Sequence, residues 1–140
     1  IPAMGLVQKS IQDNLAVFIN LVPVTEEELS AALSSGNYDL ALTSITPQYD
    51  NPGAVLSVFT DADNFTGFYS DSFSSTVSAA SYMNDYGEMA EGYALAEQML
   101  LQSAPVVPLF YETSYFAVSS KISGLDYSVF GGHIVFRFCK

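Results

Sequence analysis

The sequence predicts an α/β fold, and three observations lead to this prediction. Apolar segments rich in β-branched residues, which favour strands, lie at 18–24, 38–45 and 106–111. A helical segment that begins at Thr25 separates the first two. A strand, a helix and a strand joined by short turns form a βαβ unit, which requires parallel pairing and a right-handed crossover. We therefore expect a three-layer α/β lobe with all three strands in one sheet, and with 18–24 adjacent or nearly adjacent to 38–45.

Length and composition indicate one folded domain with an acidic surface. The chain has 140 residues, 49% hydrophobic and 14% charged, which suffices for one domain with a core but not for two ordinary ones. Its formal net charge of −11 would repel nucleic acid and anionic membrane surfaces, so neither is expected as a partner. The first residues lack both an initiator Met and the pattern of a signal peptide, which fits a fragment of a longer chain.

Two helices are predicted in the first third of the chain. The first covers 4–16. Its apolar residues recur at helical spacing: Val7, Ile11 and Leu15. The second begins with a capping box, in which the Thr25 oxygen accepts from the Glu28 backbone and the glutamate accepts from the backbone of Thr25. Gly36 and Asn37 end this second helix.

The middle of the chain alternates turns and helices. Asn51-Pro52-Gly53 forms a turn, a short helix covers 56–59, and 61–71 is a polar loop. Asp71 or Ser72 caps the next helix, and a longer helix follows it. The apolar faces of these two helices carry Phe73, Val77 and Ala80 on the first, and Met89, Tyr93, Ala96 and Leu100 on the second.

A boundary is predicted between a main lobe, 1–119, and a C-terminal segment, 120–140, because the strand pattern breaks there. A strand at 115–119 closes the lobe, and Gly131-Gly132 turns the C-terminal segment into a last strand at 133–138. One face of that last strand is strongly apolar: Ile134, Phe136 and Phe138. We expect this face to pack against the chain's own sheet or against a second copy, which would give a homodimer.

No set of residues forms a recognisable catalytic or metal-binding motif. His133 and Cys139 would lie about 20 Å apart on one strand, which is too far for a Cys-His nucleophile pair. Asp39 and Asp50 could serve acid–base chemistry in a glycosidase-like enzyme, but both positions also suit a strand end and a turn. We therefore expect a protein that is not an enzyme and that holds no cofactor.

The predicted loops hold weaker signals for ligands. Asp61-x-Asp63-Asn64 matches a calcium-binding loop only in part, because Phe65 stands where that loop needs an oxygen ligand and Ser72 stands where it needs a bidentate carboxylate. Asn64-Phe65-Thr66 has the N-glycosylation pattern, which is common by chance. Four aromatic residues lie in predicted loops: Tyr49, Phe65, Phe68 and Tyr69. Such residues either line a binding site or pack the loops down, and both interpretations stay open.

Two stretches of the chain carry a family resemblance. The first is the Tyr-Asp and apolar run at 38–42, followed by Thr-Pro-Gln-Tyr-Asp-Asn-Pro at 46–52. The second comprises 96–100, 104–111, Val118-Ser119 and the region of Gly124. In order and spacing, from about Ile11 to the end, these stretches resemble the family 5 extracellular solute-binding proteins. Those are the oligopeptide-, dipeptide- and nickel-binding receptors of ABC importers.

This resemblance implies a fold and a role. The fold is the second lobe of a class II periplasmic-binding-protein fold, a mixed sheet flanked by helices, from which 120–140 would return to the first lobe. The role is to bind a small solute such as a peptide outside the cytoplasm, in the periplasm or as a cell-surface lipoprotein, and to deliver it to an ABC transporter permease. The implied ligand-binding residues are Ser44, Ile45, Thr46, Gln48 and Tyr49.

Two positions depart from the family pattern. Gln48 stands where peptide-binding members have an aspartate that meets the ammonium group of the bound peptide, and Ile45 stands where they have tryptophan. A neutral amide does not form the charge-assisted bond that a carboxylate gives. The alternatives are therefore a blocked peptide, a sugar or a metal complex as the solute, or a stand-alone interaction domain that binds protein at a sheet edge.

Overall fold

The computed structural model describes residues 2–111, 113, 115, 117–128 and 133–140. The described residues form five α-helices, one 3-10 helix and one two-stranded sheet, so the regular structure is mostly helical. The chain divides into two compact units, Ile1–Ala41 and Leu42–Lys140. Among the helices of the described residues, none combines the length and the apolar character needed to cross a membrane.

The first unit contains helices α1 (Pro2–Leu15) and α2 (Glu26–Ser35). Helix α1 ends where Ala16 adopts a left-handed conformation, with a φ of 53°. The chain then turns back toward α1, and the side-chain amide of Gln8 donates to the carbonyl of Ile19 at 2.7 Å. The predicted first helix is confirmed and begins two residues earlier than expected.

The capping box predicted for α2 is present. The Glu28 N–H donates to Thr25 Oγ1 at 3.2 Å, and the Thr25 N–H donates to Glu28 Oε2 at 2.8 Å. The bond from the Thr25 backbone, and then the bond with its side chain, lower the pKa of Glu28, because both favour the charged carboxylate. At the other end, Gly36 has a φ of 67°, a left-handed conformation that glycine adopts at little cost.

The second unit is built around two packed helices, α4 (Asp71–Ser81) and α5 (Tyr86–Ser103). The short helix α3 (Gly53–Leu56) packs against both and continues into a 3-10 turn (Ser57–Phe59). The apolar faces predicted for α4 and α5 are confirmed, because they supply most of the buried core. The core consists of Leu56, Phe59, Phe73, Val77, Ala80, Tyr93, Ala96 and Leu100.

The cap of α4 was predicted less well. Helix α4 is capped by Ser70, whose hydroxyl accepts from the Phe73 N–H at 3.3 Å. A cap needs extended backbone so that its side chain can turn toward the first amides, and Ser70 has that conformation, with a φ of −153° and a ψ of 116°. Asp71 and Ser72 already lie within the helix, so the prediction that one of them is the cap is wrong.

The described sheet is an antiparallel pair near the C-terminus. Strand β1 (Asp126–Ser128) pairs with β2 (His133–Val135), with Tyr127 opposite Ile134. The predicted last strand over 133–138 is therefore confirmed only in its first half. The rest turns, and the Cys139 N–H donates to the Phe136 carbonyl at 3.1 Å. The turn predicted at Gly131-Gly132 lies outside the described residues.

The strands predicted at 18–24, 38–45 and 106–111 are not formed in the described part of the chain, nor does a strand include residues 115 or 117–119. Strand residues are held by hydrogen bonds to a neighbouring strand, and here none of these segments is paired with another. Their apolar side chains stay exposed, for example Phe18 at 84%, Leu40 at 75% and Val107 at 72%. The predicted parallel pairing and three-layer sheet are therefore wrong for this chain. The boundary between 1–119 and 120–140 stays a prediction.

Candidate functional site

The five predicted ligand-binding residues lie on one segment of the second unit, residues 44–49, which precedes α3 and is called the candidate loop. Residues 42–47 form neither helix nor strand. Ile45 is half-buried and packs against the core, whereas Ser44, Thr46 and Gln48 are exposed. Tyr49 exposes 54% of its surface. The segment thus has one residue that holds it to the core and four that are accessible to a ligand.

Asn51 closes the end of this segment through three kinds of contact. Its backbone N–H donates to the Tyr49 carbonyl at 2.9 Å, and its side-chain oxygen accepts from the Gly53 N–H at 2.7 Å. Its side-chain nitrogen lies 3.7 Å from the sulfur of Met89 on α5, at the distance of a weak hydrogen bond to sulfur. Asn51 therefore joins the candidate loop to the first turn of α3 and to α5.

Tyr93 of α5 lies against Gly53, close to the Asn51 side chain. Its side chain is buried in the core. A methyl group added at Gly53 would lie 2.6 Å from the Tyr93 hydroxyl oxygen and 2.9 Å from its Cζ, closer than carbon atoms normally approach. Burial raises the pKa of Tyr93, and the electrostatic effect of Tyr49 raises it further. The loop, Gly53 and Tyr93 are therefore in close contact.

The aromatic residues of the predicted loops divide into two groups. Phe65 and Phe68 pack against the core, where Phe68 meets Phe73 edge-on with ring centroids 5.4 Å apart. Tyr49 and Tyr69 are exposed, and the Tyr69 hydroxyl donates to Asp71 Oδ1 at 2.6 Å. The bond to the Asp71 carboxylate raises the pKa of Tyr69. Of the four, only Tyr49 lies on the candidate loop.

Asn64 organises the polar loop that precedes α4. Its side-chain nitrogen donates to the carbonyls of Asp61 and Phe68 at 2.5 and 2.6 Å. Its side-chain oxygen accepts from the backbone N–H and the hydroxyl of Thr66 at 3.0 and 2.5 Å. The nitrogen that would carry a glycan is thus already used inside the loop. Among the described residues, no group of three or more His, Cys, Asp or Glu is arranged to hold a metal ion.

The two candidate acids belong to different units of the chain. Asp39 belongs to the first unit and Asp50 to the second, and both are exposed. The His133 side chain lies outside what the structure describes, so the predicted separation from Cys139 stays a prediction. The sequence pattern indicated only a turn at Asn51 and Gly53, and only a core position at Tyr93. Their contacts with the loop join residues about 40 positions apart, which no local pattern indicates.

Comparison with known proteins gives one sequence relative and one solved structure of note. No protein-family model matches the chain. The chain is 28% identical over 131 residues to a dipeptide-binding protein of Lactococcus lactis subsp. cremoris (strain MG1363). Its structure resembles that of the pheromone receptor PrgZ, which is described together with its mode of peptide binding, with a TM-score of 0.75 and 19% identity. The chain shares the fold of part of PrgZ.

Both matches are nearly complete for this chain and partial for the other protein. They cover 88% and 99% of this chain, but only 24% of the dipeptide-binding protein and 27% of PrgZ. The chain therefore spans about a quarter of the length of each. The resemblance to the family 5 solute-binding proteins is confirmed as a partial match to these two proteins, which are named as a binding protein and a receptor, not as enzymes.

Proposed function

We propose that this chain is part of the second lobe of an extracytoplasmic solute-binding protein that delivers peptides to an ABC importer. Two findings together support this proposal. The match to a dipeptide-binding protein covers 88% of the chain, and the segment that resembles a ligand-binding stretch is an exposed loop held to the core. In the complete protein, 1–119 forms the lobe and 120–140 returns to the first lobe. We propose a periplasmic or lipid-anchored location and an ABC permease as the protein partner.

The exposed apolar segments support a larger sheet in the complete protein. Residues 18–24, 38–45 and 106–111 have the composition of strands and leave large apolar side chains in solvent. Natural proteins seldom leave such segments without partners, because they promote aggregation. We propose that they join the mixed sheet of a class II periplasmic-binding-protein lobe once the rest of the longer protein is present.

Ser44, Ile45, Thr46, Gln48 and Tyr49 are the proposed ligand contacts. Ile45 packs its side chain against the core, so its contribution would come from the backbone N–H and carbonyl. Main-chain groups that are not used in a helix or a strand suit a peptide, which presents the complementary pattern of donors and acceptors. The hydroxyls of Ser44 and Thr46 and the half-exposed ring of Tyr49 would add polar contacts and contact area.

Gln48 sets the chemistry at the peptide terminus. A glutamine amide can donate to and accept from a neutral group, but it carries no charge to pair with an ammonium group. The proposed preferred ligand is therefore a peptide whose N-terminus is blocked, or one whose amine is bound elsewhere. A sugar is the second candidate, because an amide and two hydroxyls also suit a ligand rich in hydroxyl groups.

The test is Gln48→Asp in the full-length protein, titrated calorimetrically with a set of tetrapeptides in free and N-acetylated form. The variant should bind free peptides about tenfold more tightly, since one charge-assisted bond contributes about 1.5–3 kcal/mol and 1.4 kcal/mol is a factor of ten. Affinity for the acetylated forms should not rise. The control is the same substitution at Gln98, which is exposed on α5. Equal affinities of the wild type and Gln48→Asp across the whole set would contradict the proposed contact.

A further inference from the structure

The candidate loop is held against α5 by residues that no ligand needs to touch. We propose that Asn51 and Gly53 are positioning residues, which fix the orientation of Gln48 and Tyr49 by seating the loop on Tyr93. This inference rests on the proposed function, because it concerns the same loop. Asn51 and Gly53 would then affect ligand affinity without contacting the ligand.

Asn51 is bonded to both the candidate loop and the start of α3. The Asn51 N–H bonds to the Tyr49 carbonyl at 2.9 Å, so the backbone of Tyr49 cannot turn without breaking that bond. The Asn51 side chain bonds to the Gly53 N–H at 2.7 Å and thereby fixes the start of α3 relative to the loop. Gln48 directly precedes Tyr49 in the chain. A change at Asn51 therefore reaches Tyr49 through the hydrogen bond to the Tyr49 carbonyl, and it reaches Gln48 through the peptide bond between Gln48 and Tyr49.

Gly53 has no space for a side chain. Its backbone does not have a positive φ, so the requirement for glycine is steric and not conformational. A Cβ there would lie 2.6 Å from the Tyr93 hydroxyl oxygen and 2.9 Å from Asn51 Oδ1. Tyr93 is buried and α5 is an 18-residue helix, so the ring cannot easily give way. We therefore expect the added methyl group to displace the Asn51 side chain and the start of α3, and with them the adjoining loop that carries Tyr49.

The same unit offers a matched control. Gly92 of α5 also faces a close neighbour, since a Cβ there would lie 2.9 Å from the Ala80 Cβ on α4. Gly92→Ala therefore forces apart two core helices, whereas Gly53→Ala displaces the candidate loop. Both substitutions add one methyl group to a tight contact, and they differ in whether the loop has to move.

The experiment compares Gly53→Ala with Gly92→Ala in the full-length protein. Peptide affinity is measured with the same free and N-acetylated tetrapeptides, thermal midpoints are recorded, and hydrogen exchange is followed by mass spectrometry over 44–52. We expect Gly53→Ala to weaken binding at least tenfold and to speed exchange of 44–52 at least fivefold. Gly92→Ala should lower the midpoint while changing affinity by less than twofold.

Two further variants distinguish positioning from general destabilisation. Adding Tyr93→Phe to Gly53→Ala removes the atom nearest the new methyl group and should recover part of the affinity. Asn51→Asp keeps the acceptor for the Gly53 N–H and should bind within about threefold of the wild type, whereas Asn51→Ala should lose at least tenfold, since every lost 1.4 kcal/mol is a factor of ten.

The outcomes distinguish the positioning role of Gly53 from general destabilisation and from failure of the proposed function. Equal losses of affinity in the two glycine variants, in proportion to their thermal midpoints, would overturn the positioning role. So would unchanged exchange over 44–52 in Gly53→Ala. A wild type that binds none of the peptides, together with faster exchange of 44–52 in Gly53→Ala alone, would overturn the proposed function and would support the structural hold on the loop.

Discussion

Replacing Asn64 by alanine tests how much one side chain contributes to the loop that precedes α4. The Asn64 amide makes four hydrogen bonds, to Asp61, Phe68 and twice to Thr66, at 2.5 to 3.0 Å. Each contributes about 1 kcal/mol net when it is protected from water. Because Asn64 is half-buried, water will replace part of them, and we expect a loss of about 2–3 kcal/mol in the free energy of unfolding. The loop would also release Phe65 and Phe68, which it holds against the core.

The measurement is urea unfolding of the 140-residue chain followed by far-UV circular dichroism. With a slope of roughly 1–3 kcal/mol per molar urea, the midpoint should fall by about 1 M. Asn64→Asp keeps the two bonds that Thr66 donates but sets carboxylate charge against two carbonyl oxygens, so it should be no more stable than Asn64→Ala. The control is Asn14→Ala, because Asn14 is exposed and its side-chain nitrogen donates within α1, to the Ser10 carbonyl at 2.8 Å and the Ser10 hydroxyl at 3.5 Å. A loss at Asn64 no larger than that at Asn14 would refute the structural role.

The remaining predictions concern pH and self-association. The pKa of Glu28 is lowered in the folded chain, so its contribution to the stability of α2 is present above its ordinary pKa and is lost as the pH falls through the lowered value. Glu28→Gln should therefore flatten the acid limb of the helix signal in circular dichroism, and an unchanged acid limb would count against the capping bond. The apolar face of the C-terminal segment is exposed, with Phe136 at 65% and Phe138 at 63%. Light scattering should accordingly detect dimers of the 140-residue chain and fewer after removal of 120–140, and strictly monomeric behaviour of the whole chain would contradict this.

The helix predictions succeeded because helical signals are local. The Thr25–Glu28 capping box spans four residues, and every group it needs is present in that stretch. The apolar spacing of α4 and α5 identified the faces that form the core, because residues three and four apart must share one side of a helix. The cap of α4 was misplaced by one or two residues, since Ser70, Asp71 and Ser72 are all good caps and only the backbone conformation selects among them.

The candidate loop was predicted only in part. The resemblance pointed to Ser44–Tyr49, and the structure has this segment exposed with Ile45 as its hold on the core. Whether these residues bind a ligand stays a proposal. The contact of Gly53 with Tyr93 was beyond prediction, because an apolar spacing shows that a tyrosine is buried but not which backbone lies against its hydroxyl.

The sequence by itself determined the helices, the capping box of α2 and the faces that α4 and α5 bury, since those depend on residues no more than four apart. Only the tertiary structure decided the fate of the apolar segments at 18–24, 38–45 and 106–111. Their composition is that of strands, but a strand acquires its hydrogen bonds from a neighbour that is distant in sequence, and within the described residues no strand pairs with them. The same distinction separates Phe65 and Phe68 from Tyr49. The sequence shows all three only as aromatic residues in loops. In the structure Phe65 and Phe68 pack against the core that α3, α4 and α5 form, whereas Tyr49 is exposed to solvent.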